Sequence, residues 1–292
     1  MTPPGPGGSS RRLAVGALWR SSHPGPTLVV SVLALVLGVS AGLDAGRLAL
    51  LTGAVFAGQL SVGWSNDAID ARRDASVGRA DKPIARGEIS ARAVGTAAVA
   101  AVLVALAASA VLGPGFLVAH TIALGSAWGY NAWLKNTAAS TLPFVVSFGL
   151  FPSLATLARA DPLLASPWAT LAGAALGIAV HFSNVLPDFD DDAATGIRGT
   201  PHRLGRRASA VVSFVALAVG AGAVALGPVL AGGGETAVPL AAPLGLLSVA
   251  TIAAIGLIRA LRTPDRVVFR LVMLAALVLV LQLALTGSRL SP

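Results

Sequence analysis

The 292-residue chain is 55% hydrophobic and 12% charged, with a mean hydropathy of +0.78, which is too little polar surface for a soluble globule and places it in a bilayer. A formal net charge of +8 in such a chain reads as membrane orientation rather than as a nucleic-acid partner. The absence of cysteine excludes a disulfide framework and a thiolate metal site.

Residues 1–12 are rich in Pro, Gly and Ser and read as a disordered tail without the features of a cleaved signal peptide. Residues 13–20, with Trp19 between arginines, predict a short interfacial helix. A bilayer span needs roughly 20 apolar residues, and segments 26–43, 47–65, 90–112, 116–134, 141–157, 167–186, 208–230, 238–258 and 267–285 all qualify. Turn residues at Gly113-Pro114-Gly115, Ala160-Asp161-Pro162, Gly232-Gly233-Gly234 and Thr263-Pro264 separate them. The expected fold is an all-α integral membrane protein, one domain over 13–292 with nine transmembrane helices. No internal repeat stands out, and the sequence does not set the oligomeric state.

Nine spans put alternate loops on the same side. Of the 21 basic residues, all but Arg47, Arg159 and Arg289 then fall on the side of the N-terminus. By the positive-inside rule that side is cytoplasmic.

Two acidic runs break the apolar pattern, both on that side: Asn66-Asp67-Ala68-Ile69-Asp70-Ala71-Arg72-Arg73-Asp74, and Asp188-Phe189-Asp190-Asp191-Asp192 four residues after Asn184. At about 100° per residue, with Asn66 at zero, Asp70, Asp74 and Asp67 fall at about 40°, 80° and 100°. With Asn184 at zero, Asp188, Asp191 and Asp192 fall at about 40°, −20° and 80°, and Asp190 points away. Converging carboxylates repel one another unless cations neutralise them, and a set of carboxylate and amide oxygens suits Mg²⁺ completed by phosphate oxygens. Solvated helix ends are the alternative, but nine of the chain's thirteen acids lie in 67–88 or 188–192, which argues for a site. Arg79, Lys82 and Arg86 follow the first run, and Arg198, His202 and Arg203 follow the second. Such cations beside a metal–carboxylate site suit a diphosphate. Lys82 and Lys135 stand out as the only lysines in an arginine-rich set.

These motifs resemble those of the UbiA superfamily of intramembrane prenyltransferases. NDAIDARRD (66–74) is similar to that family's NDxxDxxxD motif, and DKPIARGEIS (81–90) to the stretch that follows it. DFDDD (188–192), with Gly196, Arg198 and PHRLG (201–205), resembles the second motif. Tyr130 to Thr137 resembles the intervening YPxxKRxT segment, with Asn131 for proline and Asn136 for a basic residue.

The resemblance spans the chain and implies a bundle around a central cavity, capped on the cytoplasmic side and open laterally to lipid. It implies an integral protein of a bacterial-type plasma membrane that uses Mg²⁺ and an isoprenyl diphosphate to prenylate a lipid-soluble or aromatic acceptor in lipid quinone or related prenyl-lipid synthesis. Carried over, Asn66, Asp70, Asp74, Asp188 and Asp192 are the expected metal ligands, and Asp191 and Asp67 the expected catalytic carboxylates. Arg79, Lys82, Arg86, Lys135, Arg198 and Arg203 are expected at the diphosphate. Gln59, Gly63, Tyr130, His181 and Asn184 are expected at the acceptor or prenyl pocket, where a helix-to-helix hydrogen bond is the competing role for Gln59 and His181. A terpene cyclase or a phosphoribosyl-type transferase would share most of these motifs. A cation or metabolite transporter would also carry intramembrane acids, but near mid-membrane and usually within a repeat.

Overall fold

The computed structural model describes residues 14–76, 78–187, 189, 196–231, 240–262, 266–285 and 290. Among them there is no strand. A short helix α1 (Ala14–Arg20) precedes α2 (Pro24–Ser40), α3 (Ala45–Ser76), α4 (Ala91–Leu112), α5 (Pro114–Ala132), α6 (Leu142–Leu157) and α7 (Pro167–Asn184). Then come α8 (Thr200–Leu204), α9 (Arg206–Leu230), α10 (Ala241–Arg262) and α11 (Arg266–Leu285).

Local sequence explains the helix starts. Proline stands in the first turn of α2, α5, α6 and α7, where its missing N–H is not needed and its φ is already helical. Ser90 caps α4, its hydroxyl accepting from the Ala93 N–H at 3.2 Å. Five helices, α3, α4, α9, α10 and α11, are long and apolar enough to cross a membrane, and α1 with α2 makes a sixth candidate bent by 66°. Their outward faces bear bare apolar side chains such as Val111, Leu247 and Leu277.

The long helices form a closed ring. From α2 to α7, and on through α9, α10 and α11, each packs against the next, and α11 returns to α2. The core is built largely of Ala, Leu and Val with Phe116, Trp168 and Phe214. Small residues let backbones approach: a Cβ on Gly177 of α7 would stand 2.4 Å from the Phe144 carbonyl oxygen of α6.

Among the described residues each of the nine predicted spans overlaps a helix, though only the five or six named above are long and apolar enough to cross a membrane, and one boundary difference matters. The second does not end at 65 where the charges begin but continues to Ser76. At 1.5 Å per residue its 32 residues run about 48 Å, against about 30 Å of hydrocarbon. The first acidic motif therefore rides on a rigid helix rather than in a loop.

Candidate active site

The last turns of α3 present Asp67, Asp70 and Asp74 inward, at 2%, 7% and 4% exposure, while Ile69 and Arg72 face out. This is the face expected from helical phase. A buried carboxylate needs a partner, and each has one. Asp67 Oδ1 accepts from Lys82 Nζ at 2.7 Å and lies 2.8 Å from His23 Nε2. Asp70 Oδ1 is bonded by Lys135 Nζ, and its Oδ2 accepts from Arg73 Nη2 at 2.9 Å. The same Arg73 nitrogen reaches Asp74 Oδ1 at 3.4 Å.

The partners arrive from separate elements. Lys135 sits in a single 3₁₀ turn, Leu134–Asn136, that closes α5. Burial draws its ammonium below the usual lysine range, and Asp70 opposes the fall. Asn131, one turn earlier, donates from Nδ2 to the Val62 carbonyl and to Ser65 Oγ, both at 2.9 Å, and so ties α5 to α3 beside the motif. His23 stands in the elbow between α1 and α2 with φ of 54°, the left-handed region that few non-glycine residues adopt. Gly63 makes room for that elbow, since a Cβ there would lie 2.2 Å from the Ser22 carbonyl oxygen.

A cavity of about 340 Å³ runs along α3 from Val55 to Asn66, the first residue of the motif. Of the five expected pocket residues, Gln59, Gly63, Tyr130 and Asn184 line it, together with Asn66 and His23. Its walls are otherwise mainly apolar and aromatic, with Phe144, Phe148 and Phe151 on α6. His181 is the exception. It is buried behind the wall, stacked on Phe144 with ring centroids 4.5 Å apart, and its Nε2 lies 3.0 Å from Ser140 Oγ. That contact ties α7 to the turn before α6, while Phe144 and Tyr130 stand edge to face at 5.0 Å in the cavity wall.

The expected second-motif carboxylates, Asp188, Asp191 and Asp192, lie outside the described residues, as does Asp190. Their flanks are described and sit close to the first motif. Asn184 ends α7 at the cavity. On the other flank, Thr200 N donates to Ser140 Oγ at 2.8 Å, and a Cβ on Gly199 would meet the Lys135 carbonyl oxygen at 2.7 Å.

Four of the expected diphosphate residues have other side-chain partners or lie exposed among the described residues, although the Arg79 N–H donates to the Asp74 carbonyl at 3.0 Å. Arg79 forks onto Asp81 with two bonds of 2.9 Å, and holds that carboxyl down to about 2. Arg86 pairs with Glu88 at 2.6 Å, and Glu88 also pairs with Arg20 of α1. Arg198 is exposed, and the exposed Arg203 donates from Nε to the Arg198 carbonyl at 2.9 Å. Sequence reasoning missed His23 and His120, and it grouped Arg73 with the cations beside the first motif without assigning its partners. His120 lines the cavity with its Nδ1 2.8 Å from Ser109 Oγ. A lone histidine within a predicted span was the available signal for His120, while His23 depends on tertiary approach. Among the described residues no cluster of three His, Asp or Glu side chains is spaced to hold a metal alone.

The family model described as the UbiA prenyltransferase family matches residues 26–278. No curated protein sequence matches. Among solved structures, a UbiA homolog from Archaeoglobus fulgidus bound to GPP and Mg²⁺ superposes with a TM-score of 0.69 at 16% identity, covering 93% of this chain and 99% of that one. A digeranylgeranylglyceryl phosphate synthase gives 0.71 at 13% identity over 95% and 99%. The apo UbiA homolog from Aeropyrum pernix K1 gives 0.69 at 17% over 89% and 97%. At these identities the structural likeness is one of fold.

Proposed function

The chain belongs to the UbiA prenyltransferase family, and from that premise we propose that it is a Mg²⁺-dependent enzyme that moves a polyprenyl group from an isoprenyl diphosphate to an aromatic acceptor within the membrane. The observation that carries this reading is that Asn66 of the first motif and Asn184, beside the second, line one apolar cavity. An apolar chamber with the amides of Asn66 and Asn184 in its wall, next in sequence to the two acidic motifs, suits an amphiphilic diphosphate.

The donor set fits the metal. Asn66, Asp70 and Asp74, with Asp188 and Asp192, would hold Mg²⁺ through hard oxygen ligands. When bound, the ion supplies Lewis-acid stabilisation of the departing diphosphate. Lys82 and Lys135 add charge-assisted hydrogen bonds to the same anion. For Arg79, Arg86, Arg198 and Arg203 to join them, the loops at 78–89 and 196–204 must close over the mouth. The allylic C–O bond breaks with the electron pair leaving on the diphosphate, and the acceptor carbon forms the new C–C bond. The aromatic faces of Tyr130, Phe144 and Phe148 stabilise positive charge in the cavity, and its apolar lining keeps water from capturing the cation. Asp191 takes the acceptor proton, and Asp67, which holds Lys82 and His23 before the diphosphate binds, is free to join the metal's carboxylates once Lys82 turns to the diphosphate.

In this reading all nine long helices span a bacterial-type plasma membrane, with the N-terminus and the cavity mouth cytoplasmic, and the product enters lipid quinone or related prenyl-lipid synthesis. The test is pyrophosphate release from geranyl diphosphate by purified protein, with and without Mg²⁺ and a panel of phenols and quinols. Mg²⁺-dependent release coupled to a prenylated acceptor is the expected result. Mg²⁺-dependent release with a hydrocarbon product and no need of acceptor would identify a cyclase, and no release at all would overturn the reading.

A further inference from the structure

The charges of the first motif are already balanced from within. Three carboxylates, Asp67, Asp70 and Asp74, face three side-chain cations, Lys82, Lys135 and Arg73, with every pair within 3.4 Å. The carboxylates are almost wholly buried, and Lys135 and Lys82 are themselves only 8% and 14% exposed. At this depth charges interact far more strongly than in water. His23 Nε2 lies 2.8 Å from Asp67 Oδ1 and 3.2 Å from Lys82 Nζ, so the three groups form one compact cluster on that oxygen.

A bare dication approaching this site meets no net negative charge, and to reach a carboxylate oxygen it must first displace an ammonium. A diphosphate changes the balance, because it gives Lys82 and Lys135 an anion to move to and leaves Asp67 and Asp70 exposed to the metal. Resting on the transferase reading above, we propose that Lys135 and Lys82 are the resident counter-cations of the first motif, so that the divalent ion binds weakly alone and enters together with the diphosphate. The lysines pass from carboxylate to phosphate oxygens as it does so. No covalent bond changes in this exchange. Its consequence is protection of the cavity: an empty enzyme does not hold an activating metal at its open mouth, and the ionising arrangement is complete only when the substrate's own charge completes it.

The exchange also explains why these are the two lysines of an arginine-rich chain. An ammonium is a compact point charge on a flexible stem and can swing between two oxygens, whereas a guanidinium fork locks onto one carboxylate. Arg73, which bridges Asp70 and Asp74 within the same helix, is the part that stays.

The test measures Mn²⁺ binding to purified protein by electron paramagnetic resonance, with and without inorganic pyrophosphate. In the unsubstituted protein, pyrophosphate should tighten Mn²⁺ by about tenfold or more, and Mn²⁺ should tighten pyrophosphate by the same factor, as linkage demands. Lys135→Met and Lys82→Met should each tighten Mn²⁺ measured alone, and the double variant by about tenfold or more. Each single variant keeps a second partner for its carboxylate, Arg73 for Asp70 and His23 for Asp67, which favours folding. Arg72→Met, exposed on the same helix, controls for net charge and should change nothing. Equal Mn²⁺ affinity with and without pyrophosphate, or Met variants that leave or weaken the affinity for metal alone, overturns the exchange. Absence of Mn²⁺ binding even with pyrophosphate overturns the transferase reading and the exchange with it.

Discussion

Asp70 and Arg72 stand two residues apart on α3, and the structure separates them completely. Asp70 is buried between Lys135 and Arg73, while Arg72 is exposed. Asp70→Asn keeps the side chain's shape and one hydrogen-bonding oxygen but removes the charge. In the transferase reading it should lower turnover of geranyl diphosphate by about 100-fold or more, the scale of a lost transition-state electrostatic contact. Arg72→Ala should stay within about twofold, as surface substitutions do. Steady-state pyrophosphate release at saturating Mg²⁺ checks both, and equal loss in the two variants would mean that the motif acts by total charge rather than by position. This separation was legible in the sequence, because helical phase needs only the spacing of 66, 67, 70 and 74. The partners were less so. Lys82 and Lys135 drew attention by their rarity, but their assignment to Asp67 and Asp70 requires knowing that the turn after α5 and the loop after α3 converge. Nothing in residues 20–24 says that His23 will be held at a positive φ against Asp67.

At the scale of elements, α3 is the part that the rest is fitted to, and its glycines show how. Gly63 and Gly53 lie on the same helix, yet a Cβ at 63 would stand 2.2 Å from the Ser22 carbonyl oxygen, whereas one at 53 meets nothing within 4 Å. Gly53→Ala should therefore stabilise the protein by about 0.5–1 kcal/mol, the ordinary gain of removing glycine from a helix interior. Gly63→Ala should cost about 1–3 kcal/mol, since backbone cannot rotate away as a side chain can. It should also lower activity by shifting His23, which the same elbow carries to Asp67. Thermal unfolding in detergent micelles reads the stability difference, and a Gly63 variant as stable as its Gly53 counterpart would show that the elbow does not rest on α3. The sequence marked Gly63 as a pocket residue, and it does line the cavity, but its tighter constraint comes from the opposite neighbour. Hydropathy marked the segments that are helical among the described residues, because an apolar run is a property of one segment. It could not show that α3 runs unbroken past its apolar part to Ser76, because the charges there are buried partly by partners from elsewhere in the chain.

At the scale of the whole molecule, the structure sorts the loops into two ends, and that sorting carries the topology. At one end His23, Lys82 and Lys135 meet the acids of α3, and Gly199 lies against the Lys135 turn. At the other, Arg47 of the turn between α2 and α3 donates from Nη1 to the carbonyls of Ala158 and Arg159 at 2.9 and 3.1 Å. The two ends also differ in charge. The first collects the basic residues 72–92, 135 and 198–207, and the second has Arg47 and Arg159. Since basic loops are retained on the cytoplasmic side, the cavity mouth should face the cytoplasm, where a soluble diphosphate headgroup and its metal are supplied. The chain has no native cysteine, so single substitutions report cleanly. Ser76→Cys, exposed at the end of α3, should resist a membrane-impermeant maleimide added to intact cells and react after permeabilisation. Ala160→Cys, exposed in the turn after α6, should react in intact cells. The pair guards against poor expression or an unreactive thiol, because each variant is the other's control. The reverse pattern would invert the protein in the membrane and open the proposed diphosphate site to the outside, and labelling of both or neither in intact cells would break the assignment of the two loops to opposite ends.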